Sequence, residues 1–161
     1  MRNVLFLCTG NSARSILAEA LLNAQANGRY RAFSAGSRPA GRVNPFALGL
    51  LAERGIATAG LRSKSWDEFA APGAPPLDYV FTVCDNAAGE SCPYWPGHPA
   101  TAHWGIADPA AAEGSDDAKR RAFRAAFDRL SARIDAFLDL PLETLAPEEA
   151  AARLRDIGRM P

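Results

Sequence analysis

Two residues near the start of the chain, Cys8 and Arg14, have the types and spacing needed for nucleophilic attack on an oxyanion. Backbone N–H groups in a strand-to-helix turn can surround an anion, and Gly10 lets the backbone approach it closely. The same positive field predicts a lowered pKa for Cys8, and the planar guanidinium of Arg14 can bind two oxygens of a tetrahedral oxyanion. A thiolate placed in this way is a nucleophile for phosphorus or arsenic. The segment reads Cys8-Thr9-Gly10-Asn11-Ser12-Ala13-Arg14-Ser15.

Asp108, Cys84 and Cys92 could extend this chemistry. Asp108 precedes Pro109 in an expected loop, and an acid there can reach over the site and protonate a leaving group. Cys84 ends an apolar run, and seven residues separate it from Cys92. Two thiols in one loop favour thiol–disulfide exchange, in which a thiolate attacks sulfur.

Each of these residues also has a structural alternative. Cys8 could be a small buried side chain, and Arg14 an ordinary residue on a helix surface. Asp108 could open a common Asp-Pro turn, while Cys84 could belong to the core and Cys92 could be an incidental exposed thiol. The strand, glycine turn and helix predicted around Cys8 favour the chemical interpretation.

The composition limits the classes of function. The 161 residues suit one domain, and 48% of them are apolar, which is enough for a core. Equal numbers of basic and acidic residues, 18 of each, argue against nucleic-acid binding through bulk charge, and no apolar run is long enough to cross a membrane. The odd cysteine count and lack of an export signal predict a cytoplasmic protein without a disulfide framework. Because there is no C-x2-C pair and no nucleotide or flavin signature, we expect neither metal nor cofactor.

Hydrophobic patterning predicts strands that alternate with helices. Expected strands cover residues 3–8, 30–35, 78–84 and 101–104. Expected helices cover residues 12–27, 45–55, 64–69, 115–140 and 147–157, and a long loop covers 85–101. Such alternation predicts an α/β fold with a parallel sheet.

The segment from Cys8 to Ser15 resembles the active-site loop of the low-molecular-weight protein tyrosine phosphatase family, and especially its thiol-coupled arsenate reductases. Further matches, extending the resemblance to about residue 140, are Ser34-Ala35-Gly36, Asn44-Pro45, Gly55-Ile56 and Asp108-Pro109. The resemblance implies a four-stranded parallel sheet flanked by helices. The length predicts a single domain over residues 1–161. We expect residues 141–161 to be a tail with a short helix, which could lie on the sheet, on a partner or on a second copy.

The resemblance also implies a role for each residue of the loop. Cys8 attacks the bound oxyanion, Arg14 clamps it, and Asp108 protonates the leaving oxygen. Asn11 hydrogen-bonds within the loop, and the Ser15 hydroxyl supports the Cys8 thiolate. The oxyanion-binding residues are Thr9, Gly10, Asn11, Ser12, Ala13, Arg14 and Ser15.

For the reductases, the resemblance implies a relay of thiols. Cys84 attacks the sulfur of a Cys8–arsenic adduct and releases arsenite, and Cys92 then attacks Cys84. Which pair forms the final disulfide stays open. The reductant is thioredoxin or a glutathione–glutaredoxin system. Lys64 could also stand in for a potassium ion that some relatives hold near this loop.

Three functions therefore compete. The leading one is arsenate reduction by this relay. The alternative is a protein tyrosine phosphatase working through a cysteinyl-phosphate intermediate, although Ala110 and Ile16 stand where that branch has an aromatic residue and a proline. A third is a non-catalytic oxyanion-binding module, which would not need Cys8, Arg14 and Asp108 together.

Overall fold

The computed structural model describes residues 1–84, 95 and 98–161, and within these ranges four strands form one parallel sheet. The strands are β1 (Arg2–Cys8), β2 (Tyr30–Gly36), β3 (Tyr79–Thr82) and β4 (Ala100–His103). Their order is β2-β1-β3-β4, and Cys8 lies opposite Gly36 in the register of β1 and β2. The predicted four-stranded parallel sheet is thus confirmed. β1 is central because its apolar run is buried on both faces.

Helices follow or precede the strands as the patterning predicts. They are α1 (Arg14–Gln25), α2 (Pro45–Glu53), α3 (Asp67–Ala70), α4 (Asp116–Asp139) and α5 (Pro147–Gly158), with a short 3₁₀ turn at Pro109–Ala111. The side chain of Asn44 accepts the Phe46 N–H at the start of α2, and that of Ser115 accepts the Ala118 N–H at the start of α4. Among the described residues, no helix combines the length and apolar character needed to cross a membrane.

Two expected helices begin two or more residues later in the structure. The helix expected from residue 12 begins at Arg14, because Ala13 has non-helical dihedral angles and belongs to the preceding loop. The helix expected over 64–69 is wrong at its start, since Lys64 and Ser65 run beside the end of β2. There the N–H of Gly36 donates to the carbonyl of Lys64, and Gly36 pairs with Ser65. Most of the loop expected over 85–101 lies outside the described residues.

The core lies on both faces of the sheet. On one face, alternate residues of β1, including Val4 and Phe6, pack against α1 and α4. Trp104, fully buried just after β4, stacks on Phe81 of β3 with ring centroids 3.9 Å apart. A smaller cluster on the other face includes Leu5. This packing fixes the carboxyl ends of the strands, where ligands bind in such sheets.

The C-terminal tail packs on the edge of the sheet, one of the three positions left open by the sequence. The indole N–H of Trp104 donates to the carbonyl of Leu154 in α5 at 2.9 Å. Gly158, at the end of α5, lies so close to β4 that a Cβ there would be 2.1 Å from the carbonyl oxygen of His103. The lack of a side chain at Gly158 therefore permits this contact.

Candidate active site

The loop between β1 and α1 presents its N–H groups for binding. The carbonyl oxygens of Thr9, Gly10 and Ser12 accept hydrogen bonds from the N–H groups of residues 38, 40 and 44, at 2.9, 2.9 and 3.0 Å. These carbonyls therefore face a neighbouring segment. Among the described residues, none accepts a hydrogen bond from the N–H groups of residues 10–13. Four donors at the end of a buried strand and the start of a helix form a site for an anion.

Asn11 holds the shape of this loop. It is fully buried and has a φ of 45°, a left-handed conformation that asparagine tolerates better than most residues. Its Nδ2 donates to the hydroxyl oxygens of Ser15 at 2.8 Å and Ser34 at 2.9 Å, and its Oδ1 accepts the N–H of Lys64 at 2.9 Å. One side chain thus joins the loop to α1, to β2 and to the segment before α3, and the predicted hydrogen bonding within the loop is present.

Gly36 lets the loop cross the end of β2. A Cβ at this position would lie 2.4 Å from the Thr9 carbonyl oxygen, 2.8 Å from the Cys8 carbonyl oxygen and 3.0 Å from the Asn11 nitrogen. All three are backbone atoms, which cannot rotate away as the end of a side chain could. The position therefore requires glycine for close approach.

A buried ion pair lies beneath the loop. The Ser34 hydroxyl donates to Glu19, whose Oε1 lies 3.7 Å from the ammonium nitrogen of Lys64. Burial raises the pKa of Glu19 and lowers the pKa of Lys64, as expected when charged groups lose water. The Lys64 ammonium also donates to the carbonyl of Arg62 at 3.0 Å. A side-chain cation therefore lies below the anion-binding loop.

Cys8 and Cys84 are buried together at the carboxyl ends of β1 and β3, with 5% and 2% of their surfaces exposed. The N–H of Thr9 donates to the sulfur of Cys84 at 3.3 Å. The pKa of Cys8 is raised, first by its contact with the Cys84 thiol and to a smaller extent by burial. Arg14 and the Thr9 N–H lower it. The lowered pKa predicted for Cys8 is therefore wrong for this arrangement, because the sequence did not show that a second thiol touches the first.

Arg14 and Asp108 meet beside the loop. Nη1 of Arg14 donates to the carbonyl of Ile106 at 3.0 Å, and its Nη2 lies 3.6 Å from Oδ2 of Asp108. The Nε atom of Arg14 is buried and has no hydrogen-bond partner among the described residues. Oδ1 of Asp108 accepts the N–H of Ala110, and the Asp108 side chain is 41% exposed. The guanidinium thus retains a donor for an anion, and the carboxyl group is open to solvent.

The structure brings four of the five predicted catalytic residues to one loop: Cys8, Arg14, Cys84 and Asp108. Cys92 lies outside the described residues. The Ser15 hydroxyl accepts a hydrogen bond from Asn11, and among the described residues no hydrogen bond joins it to Cys8, so its support of the Cys8 thiolate stays a prediction. In the described part of the chain, no group of His, Cys, Asp or Glu side chains could hold a metal ion.

Two contributors to the site were missed by reasoning from the sequence. The Ser63 hydroxyl donates to the carbonyl of Gly10 at 3.1 Å, so the segment before α3 closes the loop from outside. Arg133, in α4, holds the start of the loop that carries Asp108. No spacing signal links either residue to Cys8. A buried arginine inside the apolar stripe of a helix is the one pattern that could have drawn attention to Arg133.

The chain is similar to known proteins over most of its length. Residues 3–151 match the family described as low molecular weight phosphotyrosine protein phosphatase. An arsenate reductase of Halalkalibacterium halodurans is 38% identical over 136 residues, which cover 84% of this chain and 94% of that protein.

Solved structures give the same picture. An arsenate reductase of Archaeoglobus fulgidus is 34% identical, with a TM-score of 0.61 over 82% of this chain and 98% of that chain. A thioredoxin-dependent arsenate reductase of Corynebacterium glutamicum is 28% identical, with a TM-score of 0.64 over 85% of this chain and 60% of that chain.

Proposed function

This chain belongs to the low molecular weight phosphotyrosine protein phosphatase family, and we propose that within the family it acts as an arsenate reductase. The observation that carries the proposal is the contact of two buried thiols, Cys8 and Cys84, beside one anion-binding loop. A phosphatase of this kind uses a single thiol as its nucleophile. Two thiols in contact can form a disulfide and so together provide the two electrons that turn arsenate into arsenite.

The first step is attack of the Cys8 thiolate on arsenic. The N–H groups of residues 10–13 and the free Nε of Arg14 bind the arsenate oxygens and stabilise the charge that develops on them. A sulfur–arsenic bond forms, and an oxygen leaves as water after Asp108 supplies a proton. Its carboxylate lies 3.6 Å from the guanidinium of Arg14, beside the group that would clamp the oxyanion.

The second step is attack of Cys84 on the sulfur of Cys8. A Cys8–Cys84 disulfide forms, and the electron pair of the sulfur–arsenic bond stays on arsenic, which leaves as arsenite. Arsenic gains two electrons and the two thiols lose them, so the step balances. Cys84 is buried beside Cys8, so the sulfur that attacks starts close to the sulfur that it attacks.

Completion of the cycle requires a further thiol and an external reductant. Cys92 attacks Cys84, frees Cys8 and moves the disulfide toward a reductant. We propose thioredoxin as that reductant, with glutathione–glutaredoxin as the alternative, since the similar Corynebacterium glutamicum reductase is thioredoxin-dependent. The reducing cytoplasm, where such systems act, is the proposed location.

A single turnover without external reductant tests this function. Fully reduced protein is mixed with excess arsenate, and free thiols and arsenite are counted, with phosphate as the control. We expect about one arsenite per chain and the loss of two thiols. Cys8→Ser and Cys84→Ala should give no arsenite, whereas Cys92→Ala should give one turnover and a Cys8–Cys84 disulfide found by peptide mapping. Persistence of all thiols in the wild-type protein would contradict the proposal.

Phosphotyrosine hydrolysis is the second candidate, favoured by the family and by the same Cys8, Arg14 and Asp108. Ala110 follows the Asp-Pro pair, so no aromatic ring there can stack on phosphotyrosine. A variant with both Cys84→Ala and Cys92→Ala separates the two functions. A phosphatase would keep its full rate in this variant, whereas a reductase would lose arsenite formation.

A further inference from the structure

Arg133 is a buried cation whose hydrogen-bond partners are all backbone carbonyls. Only 1% of the residue is exposed. Its guanidinium donates to the carbonyls of Trp104 at 2.6 Å, Gly105 at 3.0 Å and Met160 at 3.0 Å. Among the described residues no carboxylate pairs with it, and burial lowers the pKa of Arg133 accordingly. A charge is buried in this way only when hydrogen bonds compensate for the lost water, so these three bonds are the reason for its place.

Two of the three carbonyls begin the loop that carries Asp108. This loop, residues 104–108, follows β4. Its next carbonyl, that of Ile106, accepts a hydrogen bond from Arg14 at 3.0 Å, and its last residue, Asp108, lies 3.6 Å from the same guanidinium. Successive carbonyls of one short loop therefore bind two different arginines. Arg133 binds from the core, and Arg14 binds at the oxyanion loop.

The remaining contacts of this loop leave the carbonyls of Trp104 and Gly105 to Arg133. The N–H of Trp104 donates to the carbonyl of Thr82 at 2.7 Å, and the N–H of Ile106 donates to the carbonyl of Val83 at 3.2 Å. These bonds hold the loop to β3 through its nitrogen atoms. Gly105 lies between them, and among the described residues nothing accepts a hydrogen bond from its N–H. The orientation of the Trp104–Gly105 peptide therefore depends on the bond from Arg133 to the Trp104 carbonyl. The Gly105–Ile106 peptide is held by Val83 and Arg133 together.

From these contacts, and resting on the proposed function, we propose that Arg133 is a positioning residue for the first chemical step. It orients the 104–108 loop so that Arg14 and Asp108 meet at the bound oxyanion. It does not touch the substrate. Without it, the Trp104–Gly105 peptide is free to turn, the Ile106 carbonyl shifts relative to Arg14, and the clamp and the acid lose their common position.

The test compares Arg133→Met and Arg133→Lys with a matched control, Leu130→Ala. Leu130 is fully buried in the same helix, and its side chain can make no hydrogen bond to the loop. All variants are assayed at a temperature where each is folded by circular dichroism. We expect Arg133→Met to slow arsenite formation in a single turnover by about 10- to 100-fold, since small displacements of reacting groups have effects of this size. Arg133→Lys, which keeps the charge, should recover part of the rate, and Leu130→Ala should keep it.

A double-mutant cycle separates positioning from general loss of structure. If Arg133 acts through Asp108, then adding Arg133→Met to an Asp108→Asn variant should slow arsenite formation little further, because the acid is already absent. Full additivity of the two effects would overturn the proposal, as would equal rates for Arg133→Met and Leu130→Ala.

Hydrolysis of p-nitrophenyl phosphate, measured in parallel, keeps this inference distinct from the proposed function. That reaction needs Cys8, Arg14 and Asp108 but not the thiol relay. If the wild-type protein forms no arsenite and still cleaves the ester, the reductase proposal fails while the role of Arg133 is decided by the ester rates. If arsenite forms and Arg133→Met cleaves the ester at the wild-type rate, only the role of Arg133 is overturned.

Discussion

The Cys84 thiol beside Cys8 makes the nucleophile lose its proton less readily. The Cys84 contact and burial raise the pKa of Cys8, while Arg14 and the Thr9 N–H lower it. Cys84→Ala removes the largest raising contribution and leaves both lowering ones. We expect the pKa of Cys8 to fall in this variant, so that alkylation of Cys8 by iodoacetamide begins at lower pH. The measurement is the alkylation rate against pH, with the modified residue identified by mass spectrometry.

The same shift predicts how stability depends on pH. A thiol whose pKa is raised in the folded state keeps its proton where the unfolded chain loses it. Stability should therefore fall as pH rises above the ordinary cysteine pKa of about 8.5. The fall should be shallower in Cys84→Ala than in the wild-type protein. The free energy of unfolding is measured by denaturant titration at several alkaline pH values. If it falls with pH equally steeply in both proteins, the assignment of the pKa shift to Cys84 is contradicted.

Gly36 offers a second prediction at the level of one residue. In Gly36→Ala the new methyl group would lie 2.4 Å from the Thr9 carbonyl oxygen, so the loop must move. We expect phosphate binding, measured by calorimetry, to be lost. Gly49→Ala is the matched control, because Gly49 lies in α2 with no atom within 4 Å of the new Cβ. The control should gain about 0.5–1 kcal/mol of stability, as alanine favours a helix, and should bind phosphate normally.

At the level of elements, the cap of α2 links a helix to the oxyanion loop. The Asn44 side chain accepts the Phe46 N–H at 2.8 Å, and the Asn44 N–H donates to the carbonyl of Ser12. Asn44→Ala should cost about 0.5–2 kcal/mol in the free energy of unfolding, the usual cost of a lost cap. It should also weaken phosphate binding, since the turn that holds Ser12 loosens.

Ser115→Ala is the comparison for this prediction, because Ser115 caps α4 in the same way and has no contact with the oxyanion loop among its described hydrogen bonds. It should lose similar stability in denaturant unfolding and bind phosphate as the wild type does. Equal phosphate affinities of the two variants would show that the α2 cap does not support the loop.

Elements with strong patterns were predicted well, and those shaped by contacts were not. The ends of β1 and α4 lie within one residue of those expected. A buried apolar run predicts the strand and a long apolar stripe predicts the helix, and both patterns are visible in the local sequence alone. Lys64 was expected in a helix, yet its backbone binds Gly36 and Asn11, both distant in sequence. Local periodicity carries no information about such contacts.

The same division holds within the candidate site. Cys8 and Arg14 could be found because a strand, a glycine turn and a helix follow each other directly in sequence. The contact between Arg14 and Asp108 joins residues far apart in sequence, and only the resemblance to a known family predicts it. The thiol–thiol contact reversed the expected shift in the pKa of Cys8, since its direction depends on distance rather than on sequence.

At the scale of the whole molecule, the tail belongs to the same core as the sheet. Leu154 and Ile157 of α5 are buried in the cluster that contains Val4 and Phe6 of β1. Arg133 ties the end of the chain to the active-site loop by binding the carbonyl of Met160 as well as that of Trp104. We therefore propose that residues 1–161 fold as one domain, with the tail as a support for the edge strand.

Gly158→Ala tests this support. The new Cβ would lie 2.1 Å from the His103 carbonyl oxygen, so α5 must move away from β4. We expect a loss of about 1–3 kcal/mol in the free energy of unfolding, typical of overpacking, and faster hydrogen exchange in β4. Arg155→Ala, on the exposed side of α5, should change neither quantity. If Gly158→Ala instead exposed the tail to proteases while hydrogen exchange in β4 stayed slow, the sheet would be stable without the tail, and the tail would not support the edge strand.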